Sequence, residues 1–121
     1  YTGKLSPICG CSVAAGIGAC ASIAWLIGCD DVQIKGAIKN MIGNISGMIC
    51  DGAKGGCAFK LSTASSEALL QAELAKNNTI ISDFDGIVGS NAEDSIKNLG
   101  ELCMDGMQNM DNQIIKIMLA E

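Results

Sequence analysis

The spacing of hydrophobic and polar residues along the chain predicts a series of α-helices. Residues 5–29 contain no charged side chain, which predicts one apolar helix near the start. Asp30 and Asp31 follow and can cap a second helix. The next apolar residues are three or four positions apart, the spacing of one helical face; they are Ile34, Ile38, Met41, Ile45 and Met48. Lys39 and Asn40 are expected on the opposite, polar face.

A glycine-rich segment separates the second helix from a third one. The second helix is expected to end near Cys50, because residues 51–56 are rich in helix-breaking glycine. A third helix is predicted over residues 58–76. Its expected inner face consists of Leu61, Ala64, Ala68, Leu69 and Ala72. Residues 77–89 are expected to form a connector.

The last third of the chain predicts two shorter helices. Ser90 and Glu93 have the spacing of a capping box, which predicts the start of a fourth helix. Its expected buried residues are Ile96, Leu99, Cys103 and Met104. Asp111 is expected to cap a final helix. The residues that this helix is expected to bury are Ile114, Ile115, Met118 and Leu119.

These patterns together predict an all-α fold. No segment alternates as a strand, and the low aromatic content of 3% suits helices that pack closely through small residues. We expect a single domain over residues 1–121, a compact bundle of about five helices around the apolar first helix. Because Tyr1 is not an initiator residue, we expect the domain to be part of a longer polypeptide.

The apolar first segment is long enough to be considered as a membrane span. It is rich in Gly, Ala, Ser and Cys, however, and the helices after it are amphipathic, as in soluble bundles. This composition favours a buried helix and no membrane. A small protein that spans a membrane once is the weaker alternative.

Charge and residue usage exclude several classes of function. The net charge is −5, the eight basic residues are all scattered lysines, and nucleic acid is therefore not an expected partner. The absence of histidine excludes Ser-His-Asp and Cys-His catalysis and mixed Cys/His zinc sites within this chain. Seven cysteines, an odd number, with no visible signal peptide indicate a reducing, cytoplasmic compartment with thiols available for metal.

Two cysteines bracket the glycine-rich segment. Cys50 and Cys57 stand at its ends, and the Cys9-Gly-Cys11 segment can supply a third thiolate. The spacing matches neither zinc knuckles nor ferredoxin motifs. Spacing alone therefore leaves metal ligation and simple core packing both open. The remaining cysteines lie on apolar faces and are expected in the core; they are Cys20, Cys29 and Cys103.

Three segments resemble a known enzyme family. Residues 6–18, Ser-Pro-Ile-Cys-Gly-Cys-Ser-Val-Ala-Ala-Gly-Ile-Gly, and residues 47–57, Gly-Met-Ile-Cys-Asp-Gly-Ala-Lys-Gly-Gly-Cys, resemble signature segments of the L-cysteine desulfidase family. That family is similar to the α-chain of the iron–sulfur L-serine dehydratases. Residues 85–118 are similar to the C-terminal end of the family.

The resemblance implies a [4Fe–4S] cluster with three cysteine ligands and one iron open to substrate. By motif, the ligands are Cys11, Cys50 and Cys57, with Cys9 as the alternative to Cys11. Family members are several hundred residues long. The chain would therefore be the C-terminal, cluster-binding portion, inactive alone, and the rest of the enzyme would be its partner. Whether it forms a homo-oligomer is left open.

The resemblance also implies a reaction, α,β-elimination from a small amino acid. L-cysteine would yield pyruvate, ammonia and sulfide, or L-serine would be deaminated to pyruvate, with the open iron as Lewis acid. Asp51 and Lys54 could hold substrate charge or stabilise the loop, and no catalytic base is assigned. The rival hypothesis is a non-catalytic helical module with structural cysteines.

Overall fold

The computed structural model describes residues 7–120. A capping box fixes the start of its second helix. Within that range the fold is all-α and without strands, as predicted, with five α-helices and two π-helical turns. The helices are α1 (Ala15–Leu26), α2 (Asp31–Ile45), α3 (Gly56–Lys76), α4 (Ala92–Glu101) and α5 (Met110–Met118). The π-helical turns are Gly10–Ala14, directly before α1, and Leu102–Gly106, directly after α4.

The predicted cap at the start of α2 is confirmed. The carboxylate of Asp30 accepts from the Gln33 backbone N–H at 2.8 Å, and the Gln33 side chain accepts from the Asp30 N–H at 3.0 Å. The Gln33 amide also donates to the carbonyl of Lys76 at 2.9 Å. One residue thus caps α2 and joins it to the end of α3, because the carbonyls in the last turn of a helix lack partners within it.

The end of α2 differs from the prediction. The helix stops at Ile45 instead of continuing to the vicinity of Cys50. Residues 48–50 instead extend and pair with residues 7–9 through hydrogen bonds from Cys9 to Met48 and from Cys50 to Pro7. This long-range pairing satisfies backbone groups that a longer helix would have satisfied locally.

The core is built from small side chains, which lets α1 pack closely against both α2 and α3. The residues of α1 and α3 that are buried in this core are Gly16, Cys20, Ala24, Ala64, Ala68, Ala72 and Ala75. A Cβ at Gly16 would lie 3.3 Å from the Cβ of Ala64, so the two backbones approach closely. The apolar first helix therefore contacts both of its longer neighbours, while Trp25 and Leu26 at its end remain exposed.

The predicted inner face of α3 was correct for its alanines and wrong for its leucines. Leu61 is 49% exposed and Leu69 is 53% exposed. Leu69 directly follows the buried Ala68, and one residue turns a helix by about 100°. The buried alanines of α3 face α1, so the bulkier leucines of α3 lie to the side of this interface.

The expected polar face of α2 is buried instead. Lys39 and Asn40 are almost fully enclosed because the connector between α3 and α4 passes over them. The amide of Asn40 donates to the carbonyl of Thr79 at 3.0 Å and accepts from the N–H of Ile81 at 2.8 Å. Lys39 forms an ion pair with Asp83.

The predicted capping residue of α4 was wrong. The helix begins at Ala92, and the side chain of Asn91, rather than that of Ser90, accepts from the N–H of Asp94 at 2.8 Å. The Ser90 hydroxyl donates instead to the Asp94 carboxylate at 2.9 Å. Of the residues expected to be buried, Leu99 and Cys103 are buried, whereas Ile96 and Met104 are exposed.

The last helix, α5, approaches the rest of the molecule near Gly52, where a Cβ would lie 3.7 Å from the Met118 methyl group. Asn109 precedes it, and Asp111 falls in its first turn rather than at its cap. None of its residues is buried, so the predicted burial of its apolar side was wrong: Ile114 is half-buried, and Ile115, Met118 and Leu119 are exposed. The described part of the chain contains no other helix packed against it. No helix among the described residues has the length and apolar character needed to cross a membrane.

Candidate metal centre

Two of the predicted cysteine segments meet directly. Ile8 and Ile49 form an isolated antiparallel bridge. On either side of it, the Cys9 N–H donates to the carbonyl of Met48 and the Cys50 N–H donates to that of Pro7, both at 2.8 Å. The pairing therefore sets the Cys9-Gly-Cys11 segment beside Cys50, although about forty residues separate them in sequence.

The third segment begins α3. The Cys57 N–H donates to the Lys54 carbonyl at 2.9 Å, and the Cys57 thiol donates to the Gly52 carbonyl at 3.4 Å. Gly52 has a φ of +96°, which a side chain would strain, so the tight return of the loop requires glycine there. The π-helical turn Gly10–Ala14, which contains Cys11, also packs against α3. The loop and the turn thus bring all three predicted ligand segments to one end of α3.

The thiols of these segments differ in exposure. Cys11 is exposed, whereas Cys50 and Cys57 are half-buried. Cys9 is only 3% exposed, and its thiol donates to the hydroxyl of Ser12 at 3.5 Å. An exposed thiol can reach a bound group without breaking a contact. Accessibility therefore favours Cys11 over Cys9 as the candidate third ligand.

The cysteines of the described residues do not converge on one point as ligands of a single metal ion would. Among the residues that the structure describes, no three Cys, Asp or Glu side chains are grouped closely enough to hold one metal ion. Thiolate ligands of a cluster bind different irons and surround it instead of converging on a point. Three free thiols on separate, adjoining segments, Cys11, Cys50 and Cys57, are consistent with such a group.

An ionic network lies within the cysteine loop. The carboxylate of Asp51 contacts the ammonium groups of Lys54 at 2.7 Å and Lys60 at 2.5 Å. Hydrogen bonds from Lys54 and then Lys60 lower the pKa of Asp51 to about 2. The hydrogen bond to Asp51 is the main cause that raises the pKa of Lys60. At neutral pH, Asp51 is therefore ionised and Lys60 protonated.

Lys60 was not among the site residues predicted from the sequence. The ammonium group of Lys60 also donates to the carbonyl of Ile49 at 2.7 Å, so it reaches both residues that flank Cys50. The available signal was its position three residues after Cys57, which puts the two on one side of a helix.

The three remaining cysteines are buried, as expected for core residues. Burial raises the pKa of the Cys103 thiol. Burial and the nearby Cys29 raise that of Cys20 to about 11. The thiols of Cys20 and Cys103 therefore stay protonated at neutral pH and are poor metal ligands.

A cavity of about 450 Å³ lies beside the first cysteine segment, between α1, α2 and α4. Its lining is apolar and includes Ile8, Val13, Ile17, Ile38, Leu99 and Cys103. None of its lining residues carries a carboxylate or ammonium group. A small amino acid carries both charges at neutral pH, so this cavity does not suit such a substrate.

The chain is similar to a group of longer bacterial proteins. It is 58% identical over 120 residues to a UPF0597 protein of Alkaliphilus oremlandii, covering 99% of this chain and 28% of that protein. It is 56% identical over 121 residues to a UPF0597 protein of Clostridium botulinum, covering 100% of this chain and 28% of that protein. For a UPF0597 protein of Caldanaerobacter subterraneus subsp. tengcongensis, the values are 53% over 121 residues, 100% and 29%.

The chain thus spans less than a third of the length of these relatives. No solved structure matches it. The family model described as serine dehydratase alpha chain matches residues 1–116, which include every cysteine and the whole network around Asp51. By this match over nearly its full length, the chain belongs to the serine dehydratase alpha chain family.

Proposed function

We propose that this chain is the cluster-binding portion of a cytoplasmic lyase that eliminates the β-substituent of L-cysteine or L-serine. Cys11, Cys50 and Cys57 are the proposed ligands of a [4Fe–4S] cluster, and the rest of the enzyme is the proposed partner. The meeting of three cysteine segments at one end of α3 is the observation that carries the proposal. Seven free thiols suit a reducing compartment.

With three protein thiolates, a bound cluster supplies one open iron as a Lewis acid toward the substrate. Lys54 lies beside Asp51 with its side chain half-exposed, and it is the cation of the loop best placed to bind a substrate carboxylate. Loop stabilisation by the same pair is the competing role.

Neither Asp51 nor Lys60 is the base that removes the α-proton. Asp51, with a pKa of about 2, is too weak a base at neutral pH. Lys60 is held protonated by Asp51 and has no free electron pair. The base is therefore sought outside the Asp51–Lys60 pair.

The test is iron and acid-labile sulfide content of the full-length protein, purified and reconstituted without oxygen. About four irons and four sulfides per chain are expected for a cubane cluster. Cys11→Ser, Cys50→Ser and Cys57→Ser should each lose iron and turnover. Cys29→Ser is the matched control, since Cys29 is buried in the core.

Two further results separate the alternatives. Loss of iron in Cys9→Ser with retention in Cys11→Ser would replace Cys11 by Cys9 in the ligand set. A wild-type protein that takes up no iron would refute the proposal and favour the non-catalytic helical module. Sulfide release from L-cysteine, compared with pyruvate formation from L-serine, identifies the substrate.

A further inference from the structure

Lys60 connects α3 to both residues that flank Cys50. Its side chain is only 22% exposed, and its ammonium group lies between the Ile49 carbonyl at 2.7 Å and the Asp51 carboxylate at 2.5 Å. Hydrogen bonds that involve a charged donor are about twice as strong as neutral ones. Lys60 therefore holds the backbone at Ile49 and the side chain of Asp51, the two residues on either side of the proposed ligand Cys50.

Ile49 is also the residue that pairs with Ile8. Lys60 thus holds, from the side of α3, the same short segment, residues 48–50, that residues 7–9 pair with. Because Cys57 lies one turn before Lys60 on α3, this side chain links the backbones that carry Cys57 and Cys50. The pairing of Ile49 with Ile8 extends the link to the segment that precedes Cys11.

The loop between Cys50 and Cys57 needs such a link. It contains three glycines, Gly52, Gly55 and Gly56, and glycine loses more conformational entropy on ordering than other residues. A loop that is ordered before its ligand arrives does not incur that entropy loss on binding.

We propose that Lys60 is a positioning residue that orders the cysteine segments before the cluster binds. The inference rests on the proposed function, in that the ordered segments are those assigned to the cluster. Lys60 touches neither cluster nor substrate in this role; it acts through Ile49 and Asp51.

The first readout does not depend on the cluster. In the cluster-free full-length protein, Lys60→Met should speed hydrogen exchange of the Cys50 amide about tenfold, because the charge-assisted hydrogen bonds to Ile49 and Asp51 are lost. Lys60→Arg should restore slow exchange, since a guanidinium can donate to carbonyl and carboxylate together. Lys97→Met is the control, because Lys97 is exposed and pairs only loosely with Glu101.

The second readout is retention of the cluster in reconstituted protein challenged with an iron chelator. Lys60→Met should lose iron about tenfold faster than wild type, with Lys60→Arg and Lys97→Met close to wild type. If Lys60→Met does not fold, as judged by its helical circular dichroism, Lys60→Gln replaces it.

The two proposals fail in different ways. Unchanged Cys50 exchange and unchanged iron retention in the Lys60 variants would overturn the positioning role while leaving the cluster assignment intact. A wild type that binds no iron would refute the cluster assignment, and exchange at the Cys50 amide would still decide whether Lys60 orders the loop.

Discussion

Lys39, in the middle of α2, forms an ion pair with Asp83, in the connector between α3 and α4. The Lys39 side chain is 7% exposed, whereas that of Asp83 is 55% exposed. The pair therefore joins a nearly buried cation to a carboxylate at the surface. Removing the carboxylate would leave the enclosed ammonium group without its counter-charge.

We accordingly expect Asp83→Asn to lower the free energy of unfolding by about 1–3 kcal/mol. Lys39→Met should cost less, because methionine keeps much of the apolar stem and needs no partner. Urea denaturation at pH 7 measures both. Lys35→Met is the control: Lys35 pairs with Glu93 at 3.7 Å, both side chains are exposed, and a change below about 0.5 kcal/mol is expected. Equal effects of Asp83→Asn and Lys35→Met would contradict the prediction.

The same pair shows what the hydrophobic pattern could and could not predict about the fold. The three-and-four spacing correctly predicted α2 and its buried Met41 and Ile45. It wrongly put Lys39 on a solvent-facing side, because periodicity describes one helix and not the connector that crosses it. The burial of α5 failed for a related reason: an amphipathic pattern does not identify the surface that its apolar side meets.

The candidate site was predictable in part. The glycine-rich loop with a cysteine at each end is visible in the sequence, and in the structure the Cys9-Gly-Cys11 segment lies beside Cys50. The backbone pairing itself is a long-range contact without local signal. Lys60 contacts Ile49 only because the loop folds back onto α3. The presence of a lysine at this position in the sequence therefore could not predict its role.

Thiol accessibility predicts an order of alkylation in the cluster-free protein. Under native conditions at pH 8, Cys11 should react first, because it is exposed, and Cys50 and Cys57 should follow. The buried thiols should react last, limited by opening of the core; they are Cys9, Cys20, Cys29 and Cys103. Mass spectrometry after timed alkylation gives the order. Early labelling of Cys9 ahead of Cys11 would contradict the assignment of the exposed ligand.

Two helical glycines predict opposite responses to alanine. A Cβ at Gly36 of α2 would overlap Cδ1 of Ile80 and lie 2.6 Å from its Cγ1, whereas a Cβ at Gly18 of α1 meets nothing within 4 Å. Alanine is favoured over glycine inside helices by about 1 kcal/mol. Gly18→Ala should therefore stabilise the protein, and Gly36→Ala should destabilise it by about 1–3 kcal/mol through overpacking.

Thermal unfolding of the two glycine variants, followed by helical circular dichroism, measures this difference. Gly36→Ala combined with Ile80→Val, which shortens the overlapping side chain, should recover part of the loss. A higher melting temperature in Gly36→Ala than in Gly18→Ala would show that the connector does not press on α2 as the structure describes.

The thiol of Cys20 predicts a loss of stability in alkali. Its pKa is raised from 9.0 to about 11, first by burial and then by the nearby Cys29. Between these values the folded state binds more protons than the unfolded state, so the free energy of unfolding falls as pH rises. The full contribution is present below pH 9, and its loss by pH 11 amounts to about 2 kcal/mol.

Lysine deprotonation also affects stability in this range, so the comparison must be between variants. Cys20→Ala removes the titrating thiol and leaves a small cavity whose cost does not depend on pH. Its destabilisation relative to wild type should therefore shrink between pH 8 and pH 11 in urea denaturation. Gly18→Ala, which removes no titratable group, should run parallel to wild type. Parallel curves for Cys20→Ala as well would show that the thiol is not buried in the protonated form, contrary to the packing of α1 against α2 and α3.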